Sequence, residues 1–289
     1  MRLPKEKEQL LNNIVADLKQ IKNISAIVLA GSFATGMASD SSDLDIGIYY
    51  YDSDPFLIAD IEKLAAQYSV NNNQTITGFY EWGPWVNGGA WIETASGKVD
   101  FLYKNIEQIN STIEKAKKGL WEKHFEQQPP YGFSPIIFLA ETKNCIALHD
   151  PNNIISHLKE DVAVYPPKLK EAVIQQSLWS AKFTIWQADN FYKAKDVYNI
   201  VGCLTRATKN IVDTLFAMNE IYPMGDKRAI DILENASIAP IELRNKIEDI
   251  LCCKKETMVD SLTSLKNLFT EVAKFTNGSY KGLYNLTAR

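Results

Sequence analysis

Within the run AIVLAGSFATGMASDSSDLDIGIYY, Gly31-Ser32 and then Asp43-Leu44-Asp45 stand at a spacing that could do chemistry. An apolar strand, Ser25 to Ala30, stops at the glycine and turns into a short helix. A second strand, Leu44 to Tyr50, then begins beside two acids. Residues i and i+2 of a strand point to one side, so Asp43 and Asp45 offer paired carboxylates, a hard oxygen site suited to Mg²⁺. Gly31 and Ser32 sit where a helix begins and backbone N–H groups face outward to an anion. A phosphate cradle beside metal-binding carboxylates is equipment for phosphoryl or nucleotidyl transfer. A third acid, Asp100, stands in the later strand Val99 to Tyr103, where a carboxylate among apolar and aromatic neighbours needs a reason.

The elements that must hold these residues follow from periodicity. Leu10, Leu11, Ile14, Val15, Leu18 and Ile21 predict an amphipathic helix over Lys5 to Ile21, and a second is predicted from Pro55 to Tyr68. Gln74 to Lys104 reads as β-rich, including TITGFYEW, with a hairpin turn at Ala95-Ser96-Gly97-Lys98. Helices are predicted over Ile106 to Gly119, Ser134 to Asn144 and Pro151 to Val162, the last capped by Asp150. Pro166-Pro167 breaks the chain and starts the next helix at its first turn. Beyond it the pattern is almost wholly helical, over Lys168 to Ala188, Lys193 to Glu220, Asp226 to Asn235, Pro240 to Cys252 and Glu256 to Phe275. The expectation is an α+β protein, with a mixed twisted sheet flanked by helices over residues 1–164 and a helical bundle over 165–289.

Composition narrows the function. A formal charge of −4 speaks against a general nucleic-acid binder, which needs excess Lys and Arg to neutralise phosphates. Three histidines and four cysteines without CxxC spacing offer no zinc constellation, and the thiols read as reduced. The charged start MRLPKEKEQLLNN lacks the apolar core of a signal peptide, and no apolar run of about 20 residues could span a bilayer. A cytoplasmic protein is expected; the sequence is silent on its oligomeric state.

With Gly31-Ser32, Asp43-Leu44-Asp45 and Asp100 in place, the chain resembles the DNA polymerase beta nucleotidyltransferase superfamily. It is similar in layout to the aminoglycoside and lincosamide nucleotidyltransferases, which join such a domain to a helical bundle. Glu81-Trp82-Gly83-Pro84-Trp85-Val86-Asn87-Gly88-Gly89-Ala90-Trp91, Gly97 through Asn105, and Asn219-Glu220-Ile221-Tyr222-Pro223 with Asp226-Lys227 resemble a large bacterial group of the same superfamily without an agreed substrate. The resemblance implies that Asp43 and Asp45 hold Mg²⁺, two ions in all, and that Asp100 completes the metal site, helps to deprotonate an acceptor hydroxyl, or does both. It implies that Gly31 and Ser32 hold the outer phosphates of an NTP, ATP first, and that the products are pyrophosphate and a nucleotidylated small molecule. An antibiotic is one such acceptor.

A cation from the helical half would neutralise the pyrophosphate. Lys227 is the first candidate, followed by Arg206 and Lys209, each of which a solvated surface cation explains as well. Trp82, Trp85 and Trp91, with Glu93, are the candidates for an acceptor pocket, because a Gly-rich loop just ahead of the third acid can stack on a ring or sugar face. Core packing is the plainer account of those indoles. Two further readings stand beside small-molecule transfer: nucleotidylation of a protein partner, and an antitoxin-type binding protein that keeps the fold without the chemistry.

Overall fold

The computed structural model describes residues 3–39 and 41–284; Asp40, assigned by its sequence to the polar loop ahead of the acids, lies outside them. The chain forms two compact units. The first takes Met1–Glu114 and Phe138–Val164, the second Lys115–Ile137 and Tyr165–Arg289.

The first unit is built on β1 (Ala26–Leu29), β2 (Leu44–Tyr50), β3 (Gln74–Ile76), β4 (Gly89–Thr94), β5 (Gly97–Asn105) and β6 (Ile146–His149). Among the described residues these form one mixed sheet in the order β3-β4-β5-β2-β1-β6. The β2–β5 pair is parallel, and the others are antiparallel. Alternation along the strands divides its two faces. Leu44, Ile46, Ile48 and Tyr50 of β2 and Val99, Phe101 and Tyr103 of β5 point into the core. Leu11, Ile14, Val15 and Leu18 of α1 (Lys5–Leu18) and Ile61, Leu64 and Ala65 of α3 (Ile58–Tyr68) complete that core. The opposite face is left for Asp45, Gly47 and Tyr49 of β2 and for Asp100, Leu102 and Lys104 of β5.

Two local expectations need correction, and one strand was not foreseen. TITGFYEW is not a continuous strand: β3 ends at Ile76, and residues 77–88 run irregularly to β4. Their aromatic residues serve packing rather than a ladder, with Phe79 4.7 Å from Tyr50, 5.1 Å from Phe56 and 5.6 Å from Tyr103 between ring centroids. The strand β6 goes unannounced in the sequence because it is four residues long at a sheet edge, with Ile146 exposed. Helix α6 (Ile154–Val162) starts later than Pro151, after Asn153 in a left-handed conformation. Asp150 still serves its first turn, accepting hydrogen bonds from the Ser156 amide at 3.1 Å and hydroxyl at 3.3 Å.

The remaining helices of the first unit's chain segments are α2 (Gly31–Thr35), α4 (Ile106–Lys117) and α5 (Ile137–Asn144), the last two running on across the unit boundaries. The second unit carries α7 (Pro167–Lys193), with proline at its first turn, and α8 (Val197–Met218), packed along each other. Shorter helices α9 (Ala229–Glu234) and α10 (Leu243–Leu251) lead to α11 (Met258–Lys274). No helix among the described residues is long and apolar enough to cross a membrane.

Candidate active site

The parallel register sets Asp45 directly beside Asp100. Register partners share a face, and adjacent strands lie about 4.8 Å apart, so two half-buried carboxylates occupy neighbouring positions on the face away from the core. Asp43 precedes β2 by one residue and is exposed. Its turn is anchored from an unexpected place: Lys7 of α1 donates to the Ser42 carbonyl at 2.5 Å and lies 5.3 Å from the Phe33 ring centroid. Lys7 stands on the same helical stripe as Leu11, Ile14 and Leu18. A lysine on an apolar stripe is the signal that could have found it.

Gly31 packs against Asp45. It has φ +60°, and a Cβ there would come 1.8 Å from Asp45 Oδ2. The Ala30 amide donates to the Asp45 carbonyl at 2.9 Å, which binds the end of β1 to the acid strand. The short α2 then closes at Gly36, in the left-handed region, with the Met37 amide donating to the Ser32 carbonyl at 3.0 Å. Ser32 is half-buried on the first turn.

On the far side of Asp100 the antiparallel register places Trp91 opposite it, again on the same face. Trp82 stacks on Trp91, with centroids 4.7 Å apart and an interplanar angle of 23°. The loop carrying Trp82 is pinned: Asn87 Oδ1 accepts from the Asn105 amide at 2.9 Å, and Gln108 Nε2 donates to the Pro84 carbonyl at 2.9 Å. Gly88 fits where a Cβ would strike the Gly78 carbonyl at 2.6 Å. Trp85 is half-buried, its ring 6.4 Å from Phe138 of α5, and Glu93 pairs with Lys98 at 3.5 Å.

Two rows beyond Asp100 the sequence reading passed over Lys104. Its ammonium pairs with Glu141 of α5 at 2.7 Å, and beside it burial pushes the Tyr49 phenol well above its ordinary range.

The three cations expected to serve a nucleotide belong to the second unit. Lys209 bridges Asp213 at 2.6 Å and Asp226 at 3.4 Å. Arg206 is exposed and, with Lys209, Trp121, Lys123 and Tyr131, lines a cavity of about 370 Å³ in that unit. Lys227 is exposed in the turn before α9.

Among the described residues no group of three or more His, Cys, Asp or Glu side chains stands gathered as a ready metal cage. The register instead supplies a pair of carboxylates with a third from the adjoining turn. All three are hard oxygen donors, a set that fits Mg²⁺ rather than a soft metal.

Residues 12–79, which hold Gly31, Ser32, Asp43 and Asp45, match the model of the polymerase beta nucleotidyltransferase domain. That segment is a nucleotidyltransferase domain of the polymerase beta type. Residues 136–227 match a second model, a domain of unknown function designated DUF4037. A crystal structure of a nucleotidyltransferase-like protein from Exiguobacterium sibiricum 255-15 is similar over 93% of this chain and 78% of that one, at 8% identity and a TM-score of 0.46. No curated protein matches the chain in sequence.

Proposed function

We propose that this protein transfers the nucleoside monophosphate of an NTP, with ATP as the first candidate, to a hydroxyl of a small-molecule acceptor. The observation that carries this reading is the side-by-side register of Asp45 and Asp100 on the face where Gly31 meets Asp45. The acceptor oxygen forms a new bond to the α-phosphorus, and the bridging P–O bond to the β-phosphate breaks. Pyrophosphate leaves with that electron pair. Asp100 accepts the hydroxyl proton, directly or through water. The Gly31 turn and the Ser32 hydroxyl orient the outer phosphates. Asp45 and Asp100, with Asp43, would hold Mg²⁺, which when bound neutralises charge on the phosphates and on the attacking and leaving oxygens.

The test is incubation with Mg²⁺, each α-labelled NTP and a panel of hydroxyl compounds. Pyrophosphate release and a mass gain of one NMP on an acceptor are expected. Release no greater than that of the Asp45→Asn protein with every NTP and acceptor would overturn the reading.

Gly31 offers a separate check. In Gly31→Ala the new methyl must displace the Asp45 carboxylate, and the left-handed backbone adds about 1–2 kcal/mol of strain. Transfer should fall by about 10²-fold, an electrostatic loss of the size seen when one preorganised contact is removed. Urea denaturation should register only the strain. An active, equally stable Gly31→Ala protein would show that the close approach to Asp45 does not matter.

A further inference from the structure

Across the sheet, β1, β2, β5 and β4 are consecutive neighbours, and one row on the open face reads Ala30, Asp45, Asp100, Trp91. We infer that the stacked pair Trp82 and Trp91 is the platform for the acceptor, and that the acceptor is a neutral or cationic molecule presenting a flat ring or a sugar face beside its reactive hydroxyl. This inference rests on the nucleotidyl-transfer reading, because that reading fixes the direction of attack.

An in-line displacement sets the attacking oxygen opposite the leaving group. Pyrophosphate departs toward Gly31 and Ser32, at the β1 end of the row. The acceptor oxygen must therefore arrive from the other end, past Asp100. The next strand in that direction, about 4.8 Å further on, carries Trp91. An aromatic ring at that distance can hold a compact molecule with its hydroxyl at Asp100.

The indoles are suited to the task. Trp82 is 53% exposed although it stacks on its neighbour, so a large apolar face is presented to solvent rather than used to fill the core. Its loop is fixed by the Asn87 and Gln108 hydrogen bonds, so little ordering is needed on binding. Indole faces attract C–H groups, aromatic rings and cations. The charges nearby point the same way: Asp43, Asp45 and Asp100 are acids, while Lys98 is matched by Glu93 and Lys104 by Glu141. An anionic acceptor would meet like charge. A polycationic sugar or a cationic aromatic would not.

Equilibrium binding tests the platform without any transfer. Tyramine, a cationic aromatic alcohol, and kanamycin, a cationic sugar, are titrated against the whole protein at millimolar concentration, with 4-hydroxybenzoate as the anionic counterpart. Tryptophan fluorescence is expected to respond to one or both ring cations and not to the anion, and the response should weaken about tenfold in Trp82→Ala. Trp82→Phe should restore most of it. Tyr198→Ala, a change at an 87% exposed site on α8, should leave it unaltered. With an acceptor that accepts NMP, Trp82→Ala should raise the acceptor KM about tenfold while the KM for the NTP stays fixed.

No response to either ring cation, a stronger response to 4-hydroxybenzoate, or binding and acceptor KM indifferent to Trp82→Ala would overturn the assignment. Binding that depends on Trp82 without NMP transfer would instead leave the platform standing and refute the transfer reading.

Discussion

Asp45→Asn is expected to lower NMP transfer by about 10²–10³-fold or more, the loss that follows when a charge aimed at the reacting phosphate is removed. Asp100→Asn should do the same. The two changes together should cost little more than either alone, because groups acting as one unit are not additive. The side chains are nearly isosteric, so the melting temperature should stay close to that of the parent. A second readout separates charge loss from general damage: each variant should need a higher Mg²⁺ concentration for its residual activity. A drop of less than tenfold in both variants, with unchanged Mg²⁺ dependence, would mean that the pair is not the reacting centre.

The other large effect concerns stability. Asp213 is buried on α8, and its two oxygens accept from Lys123 at 2.5 Å and Lys209 at 2.6 Å. Burial alone would raise its pKa, but the Lys209 and Lys123 ammonium groups outweigh it and hold the carboxyl below its usual range. Burial likewise works against the Lys209 charge, and Asp213, then Asp226, overcomes it and raises that pKa. Asp213→Ala takes the carboxylate from Lys123 and leaves Lys209 with Asp226 alone, both lysines having little water access, and should destabilise the protein by about 3–5 kcal/mol, the cost of breaking a buried pair from one side.

The pH dependence follows from the directions. A depressed carboxyl stabilises above its unfolded pKa of about 4 and loses that contribution as pH falls through the folded value. A raised lysine stabilises below its unfolded pKa of about 10.4 and loses it as pH rises through the folded value. The gap between parent and Asp213→Ala in urea denaturation should therefore be widest between about pH 4 and pH 10 and shrink on either side. A gap that stays constant down to pH 2 would refute the ionic account.

What the sequence disclosed was local. The β1–α2–β2 unit announces itself because an apolar run, a glycine break and an i, i+2 acid pair lie within one short segment. Pro167 marks the start of α7 for an equally local reason, its fixed φ. The pairing of Asp100 with Asp45 was legible only as a shared alternation, since strand register depends on residues 55 apart. The Lys123–Asp213–Lys209 cluster had no such trace. Its first two members are 90 residues apart, and each reads alone as an ordinary surface charge. Residues 77–88 misled for the opposite reason: their β-type composition is recruited by aromatic packing and by hydrogen bonds to Tyr80 and Asn87, which no ladder explains.

The path of residues 115–137 has a consequence for how the protein comes to exist. This stretch is synthesised before Phe138–Val164 yet belongs with helices made after it. As the chain emerges, Lys123 is present long before Asp213, so the early stretch must wait for α8 before its charge is matched. A gene cut at Pro166 would leave residues 115–137 on the first product, and the second product would lack that piece of its own unit. The protein is thus a poor candidate for division into independently expressed halves, and circular rearrangements that keep 115–137 joined to α7 and α8 would be the better design.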